Sequence, residues 1–174
     1  MRRKRAYGPA PSVGDPRRVL LLAVRSFVRT AAGCAAVKRI ALVGSLATIK
    51  AIPKDADVLV TIGRATDLTE LARAGRRLKG QAQAINLGAD IFLIDQNGHY
   101  LGRICHYREC HFRVACHARH CGEIDHLNND LDVVTLSDEL IAAPPLDLWP
   151  TVIRRVAVPP DVETLLLAEP ETGE

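Results

Sequence analysis

Two groups of residues in this 174-residue chain have the types and spacing that chemistry requires. The first is Gly44-Ser45, followed after nine residues by Asp55-Ala56-Asp57. Side chains alternate along a strand, so carboxylates at i and i+2 share a face. Two carboxylates that close repel each other unless a cation lies between them. Oxygen-only ligands on a rigid strand suit Mg²⁺ (or Mn²⁺), which takes its remaining ligands from substrate phosphates. A glycine and a hydroxyl at the point where a strand gives way to a helical turn leave room and backbone N–H groups for an anion. A third acid, also a metal ligand, is expected from the next strand to complete a two-metal site. Asp90 is the choice, whereas Asp95, at an odd separation, faces the other way. Such a site would hold a nucleoside triphosphate, stabilise charge on its α-phosphate and lower the pKa of an attacking hydroxyl.

The second group lies in residues 103–121, which read RICHYRECHFRVACHARHC. Cys105, Cys110, Cys116 and Cys121 are spaced C-x4-C-x5-C-x4-C. Packed thiols in a cytosolic chain are more often metal ligands than disulfides, and four thiolates suit tetrahedral Zn²⁺. His120 or His126 is the alternative ligand, and free thiols on an irregular loop are the alternative to metal altogether. The spacing is wider than that of the usual knuckle and matches no named finger. Arg103, Arg108, Arg113 and Arg119 are interleaved with the cysteines, beside Tyr107 and Phe112, so a contact with RNA or DNA is one use of the segment. Its simpler use is a structural clip, in which metal binding supplies folding free energy. Cys34 reads as a small buried side chain.

The elements that must position the acids follow from pattern. Asp15-Pro16 is a helix start, and apolar residues at 20, 24, 27, 28 and 31 predict an amphipathic helix over 17–32 that stops at Gly33. Residues 38–43 and 56–62 read as buried strands, with a short helical turn over 46–51 between them. A second helix spans 67–84 with Thr66 as its cap, and a third strand spans 90–94 before an Asn97-Gly98 turn. Alternating helices and strands predict an α/β (α+β) core on one sheet. The chain then divides into a flexible basic arm (1–15), the core (16–97), a Cys/His-rich probable zinc segment (98–130) and a C-terminal part (131–174). That last part holds an extra strand at 131–136 and a proline-rich extended wrap at 143–160.

Gly-Ser, a spacer, Asp-x-Asp between apolar neighbours and a later apolar-Asp-apolar resemble the signature of the DNA polymerase β-like nucleotidyltransferase superfamily. Minimal bacterial nucleotidyltransferases, antibiotic adenylyltransferases and tRNA-terminal transferases are among its members. The resemblance covers residues 17–95. It implies a nucleotidyltransferase-like mixed sheet flanked by helices, here with a Cys/His zinc-binding insertion or extension. It also implies transfer of a nucleoside monophosphate from a nucleoside triphosphate to a hydroxyl on RNA, DNA, protein or a small molecule. In that frame Gly44 and Ser45 grip the triphosphate, Asp55 and Asp57 bind the metals, and Asp90 orients or deprotonates the acceptor hydroxyl. The chain departs from members that act on large substrates, because no further helical domain is read to close over the nucleotide. A catalytically silent core that binds nucleic acid through a zinc knuckle, or an antitoxin-type subunit that binds a partner protein, is therefore the alternative.

Composition narrows the classes further. With 48% hydrophobic and 25% charged residues, the chain is unlike a disordered, collagenous or coiled-coil protein. Its longest apolar run, residues 19–24, is far short of a membrane span. The basic start MRRKR is followed by no apolar stretch, so a cytoplasmic, soluble protein is expected. The net charge of +3 is composed of a basic N-terminal arm, an acidic C-terminal end and a middle that is itself only +3. The pI of 8.7 is therefore no argument for a nucleic-acid surface on the folded body. Acceptor identity and oligomeric state are not readable at this level.

Overall fold

The computed structural model describes residues 14–64, 67–105, 124–128 and 144–168. Helix α1 (Pro16–Ala31) starts as its sequence dictates, with Pro16 in the first turn and the Asp15 carboxylate accepting the Arg17 N–H at 3.1 Å. Its apolar stripe buries Leu20, Val24, Phe27 and Ala31 at steps of three and four residues. Helix α2 (Thr69–Gln83) buries Leu71, Leu78 and Ala82 in the same way. Asp67, not the expected Thr66, accepts the first N–H of α2, from Thr69 at 2.8 Å; Thr66 lies outside the described residues.

The two helices pack on one face of a six-stranded mixed sheet, so the architecture is mixed α/β. Its strands are β1 (Val37–Val43), β2 (Asp55–Ile62), β3 (Gly88–Ile94), β4 (Tyr100–Ile104), β5 (Leu127–Asn128) and β6 (Leu146–Trp149). The spatial order is β5-β4-β3-β2-β1-β6. Strands β2 and β3, linked through α2, run parallel, and every other neighbouring pair runs antiparallel.

Alternation sorts the side chains onto two faces. Ile40 and Leu42, Ala56, Val58 and Val60, and Ala89, Ile91 and Leu93 point to the helices and form the main core. The intervening positions Ala41, Val43, Leu59, Phe92 and Ile94 form a smaller apolar cluster on the opposite face, closed by Tyr100. The alternation that buries Ala56 and Val58 therefore commits Asp55 and Asp57 to the face away from the helices.

Several expectations need correction or fall elsewhere. The helical turn over 46–51 is only a 3-10 turn, Ser45–Ala47, because Thr48 leaves the helix in an extended conformation while its hydroxyl bonds Ser45 O at 2.8 Å. Strand β4 has no expected counterpart, since Tyr100–Ile104 carries a glycine and an arginine. The proline-rich wrap contains a true strand, β6, paired with β1, followed by the short helix α3 (Pro160–Val162) and a wide turn at Glu163–Leu167. Cys34 is half-buried, not buried. The extra strand at 131–136 lies outside the described residues. No helix among the described residues is long and apolar enough to cross a membrane.

Candidate functional site

Strand β1 ends at Val43, opposite Asp57 of β2, and the chain turns at Gly44. Gly44 has φ +71° and ψ −162°, a conformation that is essentially reserved for glycine. A Cβ placed on Gly44 would lie 2.5 Å from Asp57 Oδ2. The missing side chain is thus what lets the turn close down on the Asp57 carboxylate. Ser45 follows at once, and its buried Oγ has no hydrogen-bond partner among the described residues.

The turn is braced from behind. The buried Arg17 guanidinium donates from Nη2 to Leu46 O at 3.3 Å and from Nη1 to Lys50 O at 2.7 Å. Asp161 of α3 holds that guanidinium through Nε–H···Oδ2 at 2.6 Å and Nη2–H···Oδ1 at 3.2 Å. These bonds keep the Asp161 carboxyl below its ordinary range.

Parallel pairing brings the third acid in. Asp57 is the register partner of Asp90 on β3, one residue pair along from Ala56 and Ala89. Register neighbours on adjacent strands share a face, so Asp55, Asp57 and Asp90 all stand on the side away from the helices. Asp57 is buried, at 8% exposure, while Asp55 and Asp90 are half-buried. Burial pushes the Asp57 carboxyl up to about 7, helped by the Asp55 and Asp90 charges and a hydrogen bond to Asp55, against a smaller opposing pull from Arg103. Crowded like charges and a desolvated acid are the signature of a carboxylate pair arranged for something other than stability.

Two cations also reach this site: Arg103, which the sequence offers only as one of the arginines of the Cys/His segment, and Lys79, which no local pattern marks. Arg103 of β4 lies opposite Phe92, and its Nη1 is 3.3 Å from Asp90 Oδ2. Lys79 of α2 places Nζ 4.0 Å from Asp90 Oδ1. A long-range pairing of this kind leaves no local spacing to read.

The donor set bears directly on a metal. Asp55 and Asp57 offer oxygens alone; the Gly44 turn is pressed against Asp57, and the Ser45 hydroxyl that follows has no partner among the described residues. This fits a hard divalent cation that keeps further positions for substrate phosphates. Among the described residues, however, no group of three or more Cys, His, Asp or Glu side chains is gathered closely enough to hold a metal ion by itself. Asp90 stands in register, but its oxygens face Lys79 and Arg103.

Of the cysteine cluster, Cys105 is described and buried; Cys110, Cys116, Cys121 and His120 lie outside the described residues. His126 is described and buried in a left-handed conformation, φ 67°. Its carbonyl accepts the Cys105 N–H at 2.8 Å, so the two flank residues 106–125 at the mouth of the β4–β5 pair. Gly102, at φ +130°, permits this pairing, because a side chain there would strike the Asn128 carbonyl. Burial and Arg76 lower the basicity of the His126 imidazole.

No protein-family model matches this chain, and neither a curated protein nor a solved structure gives a significant match. The functional reading therefore stands on the residues themselves.

Proposed function

We propose that the chain is a divalent-metal-dependent nucleotidyltransferase that moves a nucleoside monophosphate from a nucleoside triphosphate to a hydroxyl. The observation that carries this reading is the meeting of Asp55, Asp57 and register-paired Asp90 with a glycine turn pressed against Asp57. Gly44 and Ser45 supply N–H groups and a hydroxyl for the triphosphate, and Asp55 and Asp57 would hold Mg²⁺ or Mn²⁺. The bound cation would neutralise charge on the α-phosphate and favour the ionised acceptor hydroxyl. Asp90 receives the acceptor proton. The acceptor oxygen bonds to the α-phosphorus, the bond from that phosphorus to the bridging oxygen breaks, and pyrophosphate leaves with the electron pair.

The same reading gives the Cys/His segment a structural Zn²⁺, to which Cys105 and, as an alternative, His126 contribute from the described residues. Their adjacency across the β4–β5 pair is what supports it. A second reading, a silent core that binds nucleic acid or a partner protein, draws support from the Asp90 oxygens being engaged by Arg103 and Lys79.

Calorimetric titration of the four nucleoside triphosphates with Mg²⁺ or Mn²⁺ separates the two. Metal-dependent binding by the wild type that disappears in Asp57→Asn supports the transferase. Folded wild type that binds none of them supports the second reading.

A further inference from the structure

One buried guanidinium joins two parts of the chain that are far apart in sequence. Arg17, in the first turn of α1, donates to the carbonyls of Leu46 and Lys50 and to both carboxylate oxygens of Asp161. The two carbonyls lie on the stretch that leaves the Gly44–Ser45 turn, where Leu46 is the one buried residue between positions 45 and 50. The carboxylate lies on α3, whose Val162 is sunk in the main core together with Leu166. Elsewhere the same two stretches stand apart. A cavity of about 230 Å³ lies between Ala47, Thr48 and Ile49 on one side and Val156, Val158 and Pro159 on the other. At that point the turn is tied to the C-terminal segment by a polar bridge and not by interlocked side chains.

We propose that Arg17 is a positioning residue for the triphosphate, and that through Asp161 it couples binding at the Gly44–Ser45 turn to the docking of residues 160–168. This rests on the transferase reading of Asp55 and Asp57. The two states are the closed bridge and a C-terminal segment that has opened locally. With the bridge closed, the turn is held against Asp57, where an added Cβ on Gly44 would already meet Oδ2 at 2.5 Å. With the segment open, the guanidinium loses its carboxylate, and the carbonyls of Leu46 and Lys50 lose a fixed donor. Coupling is reciprocal: if docking tightens triphosphate binding, bound triphosphate tightens docking by the same factor. A lysine cannot substitute, because a point-like ammonium does not span two carbonyls and grip a carboxylate with two parallel bonds.

The test uses the full chain and titrates each of the four nucleoside triphosphates with Mn²⁺ by calorimetry. Asp161→Asn keeps the shape of the side chain and one acceptor oxygen, so it is the gentler variant; Arg17→Lys is the second. Each should weaken binding by about five- to tenfold, within the usual range of coupling between sites. Glu163→Gln removes an exposed ion pair from the same segment and should leave affinity unchanged. A merely structural brace would not move the second readout, amide hydrogen exchange over residues 160–168. The Glu163 N–H, which donates to Pro159 O at 3.1 Å, is among these amides. Saturating triphosphate should slow this exchange at least about threefold in the wild type and much less in Asp161→Asn at equal saturation. That pattern upholds the proposal. Affinity unchanged in Asp161→Asn, an equal loss in Glu163→Gln, or protection that is absent from the wild type or undiminished in Asp161→Asn overturns it. If it is overturned while Asp57-dependent binding persists, the transferase reading stands alone. Folded wild type that binds no triphosphate removes both.

Discussion

Asp57 and Asp147 are both buried carboxylates on the face of the sheet away from the helices, separated only by β1, yet their surroundings are opposite. Asp147 of β6 accepts from Arg39 Nε at 2.9 Å and from Arg155 Nη2 at 3.0 Å. Burial alone would raise its carboxyl, but the bonds from Arg155 and Arg39 outweigh that and hold it below the usual range. Asp57 has two acids for near neighbours and sits near neutrality, at about 7. The chain thus knows how to neutralise a buried acid in this sheet. It does so where β6 must be tied to β1, and it leaves Asp57 in conflict. The contrast separates an acid that holds the fold from one the fold carries at a cost.

The largest effect should come from relieving that conflict. Above pH 7 the folded state keeps Asp57 ionised among acids. Between about pH 4 and pH 7 the native carboxyl retains a proton that the unfolded chain releases, so this group makes stability fall as pH rises through the window. Asp57→Asn should abolish metal-dependent nucleotide binding and yet stabilise the fold by roughly 2–4 kcal/mol at pH 8, with almost no gain at pH 4. Urea midpoints at the two pH values test this, and a destabilised Asn variant at pH 8 would erase the comparison. Asp147→Ala should have the opposite sign, costing about 3 kcal/mol at neutral pH because two arginines lose their common partner. The contribution of Asp147 should fade only as pH drops below about 4, since its native carboxyl is held low.

Gly44→Ala probes the approach to Asp57. It should cost about 2 kcal/mol for a backbone geometry that alanine resists, and crowding of Asp57 Oδ2 should weaken nucleotide binding in the same calorimetric titration. The smallest effect is expected from Glu163→Gln. Glu163 forms a bidentate pair with Arg154 at 2.6 and 2.8 Å, but both side chains are exposed. Its loss should change stability by about 0.5 kcal/mol or less, which thermal unfolding can bound.

The parts of this arrangement that were legible in the sequence are local. Period-two alternation locates Asp55, Asp57 and Asp90 on strands and assigns their faces, and a Gly-Ser pair after an apolar run marks the turn. Helix α1 is written in Asp15-Pro16 and its apolar spacing. What escaped is set by contacts between distant residues. Nothing near Asp147 signals Arg39, 108 positions earlier, or nominates β6 as the partner of β1. Lys79 looks like an ordinary surface cation and Arg103 like one of the arginines of the Cys/His segment, until the packing of α2 and the pairing of β4 with β3 bring them to Asp90. The sequence pattern places Thr48 in a helix, because propensity does not register that its hydroxyl bonds Ser45 O.

The Arg17 brace has a consequence in time. Its bonds to Leu46 and Lys50 are local to the first third of the chain, but the carboxylate that anchors it lies 144 residues downstream. During synthesis the strands bearing Asp55, Asp57 and Asp90 emerge before α3 and Asp161. The acids are therefore assembled before the Gly44–Ser45 turn is locked, and a nascent chain halted before Asp161 carries the charges of the site without the brace behind that turn.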